Sequence, residues 1–271
     1  MRREERVISA PRPFEKGFNE LIASDSQGTD MHMDFGLHRL DRGMTVTSEE
    51  AMERAFLLIE GNVLFQWGGR QAEARRSSVF REGPWCLHLP SGAKASFQAL
   101  CSETVVAEVK TRGNGSFHPS LRRPVDCPVQ RVGEGLMQNT AIRSMRSIVT
   151  PQENPAMNLV MGEVINGPGR YSAYPPHHHP QPELYHYRFH PEQGYGYCEM
   201  GDDVYKVRHM DTAAIPGGLV HPQTAAPGYA MYYLFVIRHL DDQRFSEAAY
   251  LREHQWLLKP EAEIWEPREL I

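Results

Sequence analysis

Short strand-like segments recur along the chain between glycine, proline and asparagine residues, and this pattern constrains the fold most. Residues 55–59 and 63–67 are apolar and flank Glu60-Gly61-Asn62, as expected of a β-hairpin. A second hairpin is predicted around Pro90-Ser91-Gly92. Helical periodicity is weak outside residues 246–257. The sequence therefore predicts an all-β protein built from antiparallel strands.

The strand-like segments form two runs with a similar order of elements. A polar passage rich in glycine and proline, residues 111–130, separates the runs. Pro90-Ser91-Gly92 occupies the place in the first run that Pro216-Gly217-Gly218 occupies in the second. We therefore predict a duplicated architecture of two antiparallel, jelly-roll-like β-barrels, with residues 1–144 as the N-terminal barrel and residues 145–271 as the C-terminal barrel.

A cluster of histidines in the second run has the spacing of metal ligands. Alternate residues of a strand face the same side, so His177 and His179 point one way and His178 the other. Glu183 falls on the same side of this alternation as His177 and His179. His221 follows the later Pro-x-Gly turn. A histidine-containing surface loop is the alternative for the triplet alone. Three imidazoles and one carboxylate favour a site for a divalent transition metal.

Composition narrows the class of protein. The 271 residues are 41% hydrophobic and 23% charged, with a net charge of −5, which is typical of a globular protein without a nucleic-acid footprint. The four cysteines form no Cys-x-x-Cys pair, and neither a signal-peptide pattern nor an apolar run of membrane-spanning length is visible. We therefore expect a cytoplasmic protein with reduced thiols and no nucleic-acid or membrane partner. A homo-oligomer is also expected, although composition does not fix the oligomeric state.

The histidine region also resembles a known superfamily. The stretch from Gly169 to Gly194 with its His-x-His-x₃-Glu core, followed by Pro216-x-Gly218-x₂-His221, is similar to the paired motifs of the cupins. The match is imperfect, because Met210 and Ala225 stand where glycine and asparagine are usual. The resemblance implies one metal held by His177, His179, Glu183 and His221, with zinc expected and manganese or iron as alternatives. The first barrel has no His-x-His and is expected to bind no metal.

Longer stretches are more specific. Residues 75–92, 158–164, 168–177 and 226–234 resemble the 5-deoxy-glucuronate isomerases of myo-inositol catabolism, within the KduI/IolB family. This resemblance implies a metal-dependent aldose–ketose isomerisation of 5-deoxy-D-glucuronate to 5-dehydro-2-deoxy-D-gluconate through a cis-enediol. Three alternatives stay open: the related 4-deoxy-5-keto-uronate ketol-isomerase of pectin degradation, a cupin dioxygenase, and a non-enzymatic sugar-binding cupin.

Isomerisation requires a group that moves a proton between two carbons. Glu163 and Glu183 are the carboxylate candidates, and Glu163 is preferred because a metal ligand is a poor base. Tyr185 and Tyr187 share the phase of Glu183 and are predicted to act in catalysis, although filling the core is the alternative for at least one of them.

A uronate substrate is negatively charged at its far end, and arginine matches a carboxylate with two parallel hydrogen bonds. Arg170 is ranked first for this role because it lies closest in sequence to the histidines, and Arg188 is ranked with it. Arg143 and Arg208 are further candidates.

Overall fold

The computed structural model describes residues 5–11, 13–24, 30–113 and 115–266, and nearly all of its regular structure is antiparallel β-sheet. The strands in chain order are β1 (Val7–Ile8), β2 (Gly17–Ile22), β3 (Asp34–Leu40), β4 (Thr45–Ser48), β5 (Glu53–Trp67), β6 (Arg70–Arg76), β7 (Cys86–Leu89), β8 (Ala95–Ala99), β9 (Thr104–Thr111), β10 (Ser120–Arg122), β11 (Gln130–Val132), β12 (Arg143–Val149), β13 (Leu159–Asn166), β14 (Tyr171–Ser172), β15 (His177–His178), β16 (Glu183–His190), β17 (Tyr195–Met200), β18 (Asp203–Arg208), β19 (Thr212–Ile215), β20 (Gln223–Ala225), β21 (Ala230–Arg238) and β22 (Ala249–Tyr250). The all-β prediction is confirmed.

The strands form two halves. In the first half a nine-stranded sheet has the order β10-β7-β5-β9-β3-β2, with β6 and β8 beside β5 and with β4 beside β8. In the second half a seven-stranded sheet, β1-β19-β16-β21-β13-β12-β11, is accompanied by the four-stranded β14-β20-β17-β18 and the pair β15-β22. Strand β1 thus joins the second half although it lies at the start of the chain. Among the described residues, no sheet closes into a ring.

The predicted hairpin at Glu60-Gly61-Asn62 is wrong, because β5 continues through these residues. Its first part pairs with β7 and β9, and its last part pairs with β6 and β8. Gly61 has φ +110°, and a Cβ there would lie 2.8 Å from the Cα of Thr104, so glycine permits both the bend and the close approach. The second expected hairpin is also wrong: the strands around Pro90-Ser91-Gly92, β7 and β8, pair with different parts of β5 and not with each other.

The complete helical segments within the described residues are short 3₁₀ segments at Pro124–Asp126, Met137–Asn139 and Arg252–Leu258. The last of these overlaps the weakly helical pattern in the sequence. Nowhere in the described residues does a helix have the length and apolarity needed to cross a membrane. Cys86, Cys101, Cys127 and Cys198 are all free thiols, as expected.

Apolar side chains form a core inside each half and a third between them. The shared core includes Phe35 and Leu37 from the first half and Leu159, Met161 and Leu234 from the second. Alternation along β16 sends Tyr185, Tyr187 and Phe189 into the core of the second half instead. The central strands β13, β16, β19 and β21 of the large second sheet therefore have one face toward the partner half and one face toward their own core. The division of the chain at residue 144 stays a prediction.

Candidate metal centre

Three of the four proposed ligands converge at the start of β16. Oε2 of Glu183 lies 3.2 Å from Nε2 of His179 and 3.1 Å from Nε2 of His221. One ligand atom from each residue lies within 4.8 Å of the others, and all three side chains are buried. This is the arrangement of a partial metal coordination shell.

The protonation of these histidines indicates that a cation belongs between them. Nδ1 of His221 lies 2.7 Å from the carbonyl oxygen of Leu219, which can only accept a hydrogen bond, so Nδ1 carries the proton. In the neutral ring, Nε2 then presents a lone pair to the negatively charged Glu183. Two electron-rich atoms 3.1 Å apart in a buried site repel each other unless they share a metal ion or a proton. Burial lowers the pKa of His221, but its contact with Glu183 outweighs burial and raises the pKa, as expected where a positive charge is favoured between them. The residues present therefore fit a divalent metal ion.

His177 lies beside this cluster without belonging to its tightest part. Its ring centroid is 5.2 Å from that of His221, and its Nδ1 donates to the carbonyl oxygen of Pro175 at 3.0 Å, which leaves Nε2 with a lone pair. Strand β15 pairs with β22, and the ring of Tyr250 contacts the ring of His177. The fourth ligand is thus adjacent to the other three and has an available nitrogen.

The electrostatics of Glu183 and His177 favour the forms of these two side chains that bind metal. Burial alone would raise the pKa of Glu183, but its contacts with His179 and His221 outweigh burial and lower the pKa to about 2. Burial, followed by the nearby His221, lowers the pKa of His177 to about 4. Near neutral pH the site therefore combines an ionised carboxylate with a neutral imidazole at His177.

The Pro-x-Gly turn holds the two ligand-bearing loops together. Gly218 has φ +86° and donates its amide hydrogen to the carbonyl oxygen of His179 at 2.7 Å. A Cβ on Gly217 would lie 1.9 Å from the carbonyl oxygen of Pro180. Glycine at both positions therefore permits the loop of His221 to pack against the loop of His179.

Changing Gly217→Ala is expected to weaken metal binding about tenfold or more, because the alanine methyl would separate the loops that carry His179 and His221. Titration with zinc against a competing chelator measures the affinity. Gly167→Ala is the matched control, since a Cβ there meets only Cγ of Arg170 at an ordinary 3.6 Å. Equal affinities in the two variants would contradict this role of the turn.

A cavity of about 270 Å³ opens beside the cluster. His177, Glu183 and Tyr185 line it on the metal side. Apolar side chains make up most of the remaining wall, and Arg143 is the one Arg or Lys side chain among the described lining residues. A small pocket with few, separated polar groups is typical of a binding site for a small molecule.

The three predicted catalytic side chains occupy different places. Tyr185 lines the cavity, and burial, followed by the charge of Glu183, raises its pKa well above the usual range, so its hydroxyl stays protonated. The hydroxyl of Tyr187 donates to Oε1 of Gln223, whose amide donates to the carbonyl oxygen of His221 at 2.8 Å. Tyr187 therefore supports the loop of His221 and does not line the cavity.

Glu163 does not line the cavity either. It is buried between the two halves, where its carboxylate oxygens lie 2.7 and 2.8 Å from the guanidinium of Arg76. Arg146 lies 3.3 Å away, and the hydroxyl of Tyr232 donates to the same carboxylate at 2.8 Å. The structure places Glu163 away from the cavity, because alternation along β13 directs it toward the first half, and this geometry gives no support to its predicted role as a base.

The two arginines ranked first also lie outside the cavity. Arg170 is partly exposed, and its Nη1 donates to the carbonyl oxygen of Asn139 at 2.6 Å. Arg188 points from β16 toward the first half and lines a different cavity. Arg170 and Arg188 were predicted because they lie near the histidines in sequence. Arg143 is more distant in sequence, but the pairing of β12 with β13 brings it to the cavity. Phe245, whose ring packs on His179 with centroids 4.9 Å apart, had no signal in the sequence.

Comparison with solved structures defines the fold class as cupin-like. An oxalate decarboxylase from Lactobacillus farciminis matches 91% of this chain and 87% of its own with a TM-score of 0.66 at 12% identity. A Bacillus subtilis oxalate decarboxylase, described with Mn(II) centres, matches 90% of this chain and 78% of its own with a TM-score of 0.63 at 12% identity. An IolB-like protein from Salmonella typhimurium is more similar to this chain than either decarboxylase, with a TM-score of 0.82 at 23% identity. The match covers 93% of this chain and 99% of the Salmonella protein.

Sequence comparison gives the family. The profile of the KduI/IolB family matches residues 8–257, and the chain therefore belongs to this family. A protein from Geobacillus thermodenitrificans named 5-deoxy-glucuronate isomerase is 27% identical over 250 residues, which cover 85% of this chain and 88% of the relative. A protein of the same name from Listeria monocytogenes is 26% identical over 216 residues, covering 74% and 75% of the two chains. The relatives support an isomerase.

Proposed function

We propose that this protein is a metal-dependent aldose–ketose isomerase that converts 5-deoxy-D-glucuronate to 5-dehydro-2-deoxy-D-gluconate. The observation that carries the proposal is the convergence of His179, Glu183 and His221 beside a small cavity, in a chain whose named relatives are 5-deoxy-glucuronate isomerases. The proposal includes the two-barrel architecture, with the metal in the C-terminal half.

His177, His179, Glu183 and His221 would hold the metal, with zinc expected and manganese or iron as the alternatives. When bound, a divalent metal supplies Lewis acidity that stabilises negative charge on the oxygens of an enediolate. The protein itself contributes the ligand set and the surroundings of the reacting carbons. The ionised Glu183 anchors the ligand set, and the apolar wall of the cavity excludes water from the reacting carbons.

Tyr185 is proposed to orient the substrate. Its hydroxyl stays protonated because burial and the neighbouring Glu183 raise its pKa well above the usual range. A protonated phenol at the cavity wall donates a hydrogen bond to a substrate oxygen and favours the charge that develops there during enolisation. Glu183 is the one carboxylate among the described residues that line the cavity.

Arg143 is proposed to bind the carboxylate of the substrate. It supplies the guanidinium of the cavity, and its Nη1 is held by the carbonyl oxygen of Ala141 at 3.0 Å. A single anchored guanidinium leaves further N–H groups for a carboxylate. It would fix the charged end of the uronate while the metal binds the reacting end.

Arg143→Ala is expected to lower kcat/KM for the uronate by about 10- to 100-fold, because charge-assisted hydrogen bonds to the carboxylate are lost. The ratio of kcat/KM for the uronate to that for a neutral aldose analogue measures this loss. Arg170→Ala is the matched control and should leave the ratio unchanged. Equal ratios for wild type and Arg143→Ala would remove Arg143 from this role.

The function is tested by following 5-deoxy-D-glucuronate with the purified protein by NMR. We expect formation of the ketose without oxygen consumption, loss of turnover after chelation, and recovery with zinc or manganese. Oxygen uptake would indicate a dioxygenase instead, and turnover of 4-deoxy-5-keto-uronate alone would indicate the pectin-pathway reaction. Binding of sugar acids without conversion would favour a non-enzymatic cupin.

A further inference from the structure

A second cavity, of about 120 Å³, lies between the two halves of the protein. The first half contributes Glu60 and residues 77–80, and the second half contributes Arg188, residues 189–192 in part, and His209. It shares no described lining residue with the candidate metal cavity. On β16, Arg188 points to the face opposite that of Tyr185, so the two sites are separated by the sheet.

The guanidinium of Arg188 is buried and incompletely paired. The residue is only 7% exposed, and neither Nε nor Nη2 has a hydrogen-bond partner. Among the described residues, the carboxylate nearest to this guanidinium is that of Glu60, with Oε2 4.0 Å from Nη1 of Arg188. The side chain of Glu60 is 54% exposed. A buried arginine with two unpaired N–H positions is costly unless an acceptor is supplied.

His209 presents a further donor at the same place. The backbone amide of Phe189 donates to its Nδ1 at 3.2 Å, and Nη1 of Arg188 lies 3.2 Å from its Nε2. A neutral imidazole accepts at only one nitrogen, so it cannot accept from both groups. With Nδ1 accepting, Nε2–H and the guanidinium are two adjacent donors, and an acceptor placed between them would satisfy both.

Ser78 adds a donor from the other half. Its Oγ accepts the amide hydrogen of Phe80 at 3.3 Å, which leaves the hydroxyl hydrogen free to be donated. Two carboxylates stand at the rim, Glu60 and Glu192, the latter 3.9 Å from Nε2 of His209. Both are more than half exposed, so solvent and salt screen their charge. Inside the cavity, donors from three separate segments remain.

We propose that this cavity binds a phosphate group through Arg188, His209 and Ser78, and so links the two halves of the protein. Donors that come from three segments suit a tetrahedral oxyanion with several acceptor oxygens better than a planar carboxylate. Inorganic phosphate and the phosphoryl group of a small phosphorylated metabolite share this chemistry. Because both halves contribute donors, the bound anion stabilises the folded protein.

Thermal unfolding and calorimetry in phosphate-free buffer test the proposal. Millimolar inorganic phosphate is expected to raise the melting temperature saturably, whereas sodium chloride of equal ionic strength is not. Glycerol 3-phosphate is compared with glycerol: a response tighter than that to inorganic phosphate assigns the site to a phosphorylated metabolite, and a weaker one assigns it to the free ion. No saturable response to either phosphate compound would overturn the proposal.

Variants separate this site from other basic groups. Arg188→Gln should abolish the response and Ser78→Ala should weaken it several-fold, while Arg42→Gln, an equal change of charge at an exposed position, should keep it. If Arg188→Gln does not fold, Ser78→Ala alone tests the site. An undiminished rise in melting temperature with phosphate in Ser78→Ala would then count against the site. Glu183→Gln should retain the full response, so failure of the proposed function and failure of this inference are distinguishable.

Discussion

Replacing Glu183 by glutamine is expected to remove the bound metal and to lower kcat/KM for the uronate by about 100-fold or more. The loss of a direct ligand should cost more than the loss of a residue that only hydrogen-bonds to a ligand. Glutamine keeps the shape of glutamate but removes the charge that lies within 3.2 Å of His179 and 3.1 Å of His221. Elemental analysis of the dialysed protein and the NMR turnover assay provide the two measurements.

His178→Ala is the matched control for Glu183→Gln. His178 neighbours the ligands in sequence but does not belong to the convergent group, so the variant should keep near-normal metal content. Full metal content in Glu183→Gln, or equal losses in both variants, would show that the carboxylate does not anchor the metal.

Replacing Arg76 by alanine is expected to lower the free energy of unfolding by about 3–5 kcal/mol, because it leaves the charge of Glu163 buried without its main partner. Both side chains are 0% exposed, and they join opposite halves of the protein. Urea unfolding monitored by circular dichroism gives the free energy. Arg39→Ala, whose partner Glu103 is 67% exposed, should cost far less, because solvent screens this ion pair.

The same ion pair distinguishes a structural role of Glu163 from a catalytic one. Glu163→Gln should be destabilised, yet it should keep a near-normal kcat at temperatures where it is fully folded. The double variant Arg76→Met, Glu163→Leu should recover part of the lost stability, because it removes both charges of the ion pair together, whereas Arg146 and the hydroxyl of Tyr232 still lose their acceptor. A large fall in kcat of the folded Glu163→Gln protein would restore Glu163 as a base.

The convergence of His179, Glu183 and His221 was predictable because its signal is local. Alternation along a strand places His177 and His179 on one face, and the glycines after Pro216 mark the turn that brings His221 to them. The all-β class followed from the same short-range pattern. Local patterns could not show that Gly61 lies at a bend within one continuous strand, because glycine is typical of such bends and of hairpin turns alike.

The positions of Glu163, Arg143 and Arg170 relative to the cavity could not be predicted, because they depend on pairings distant in sequence. The direction of Glu163 is set by the register of β13 between β12 and β21. Its partner Arg76 comes from the other half of the chain, and no spacing in the sequence indicates that contact. Arg143 reaches the cavity in the same way, whereas Arg170, which lies nearer to the histidines in sequence, contacts the backbone of Asn139.

Titration of metal into the chelated protein, with turnover of 5-deoxy-D-glucuronate followed at each step, tests the central claim most directly. Activity should rise in proportion to bound metal and reach its limit at about one ion per chain, as expected for a single site with this ligand set. Glu183→Gln should show neither the uptake nor the activity. Full turnover by the metal-free protein, or uptake of one ion per chain by Glu183→Gln, would contradict the claim that these residues form the metal centre of an isomerase.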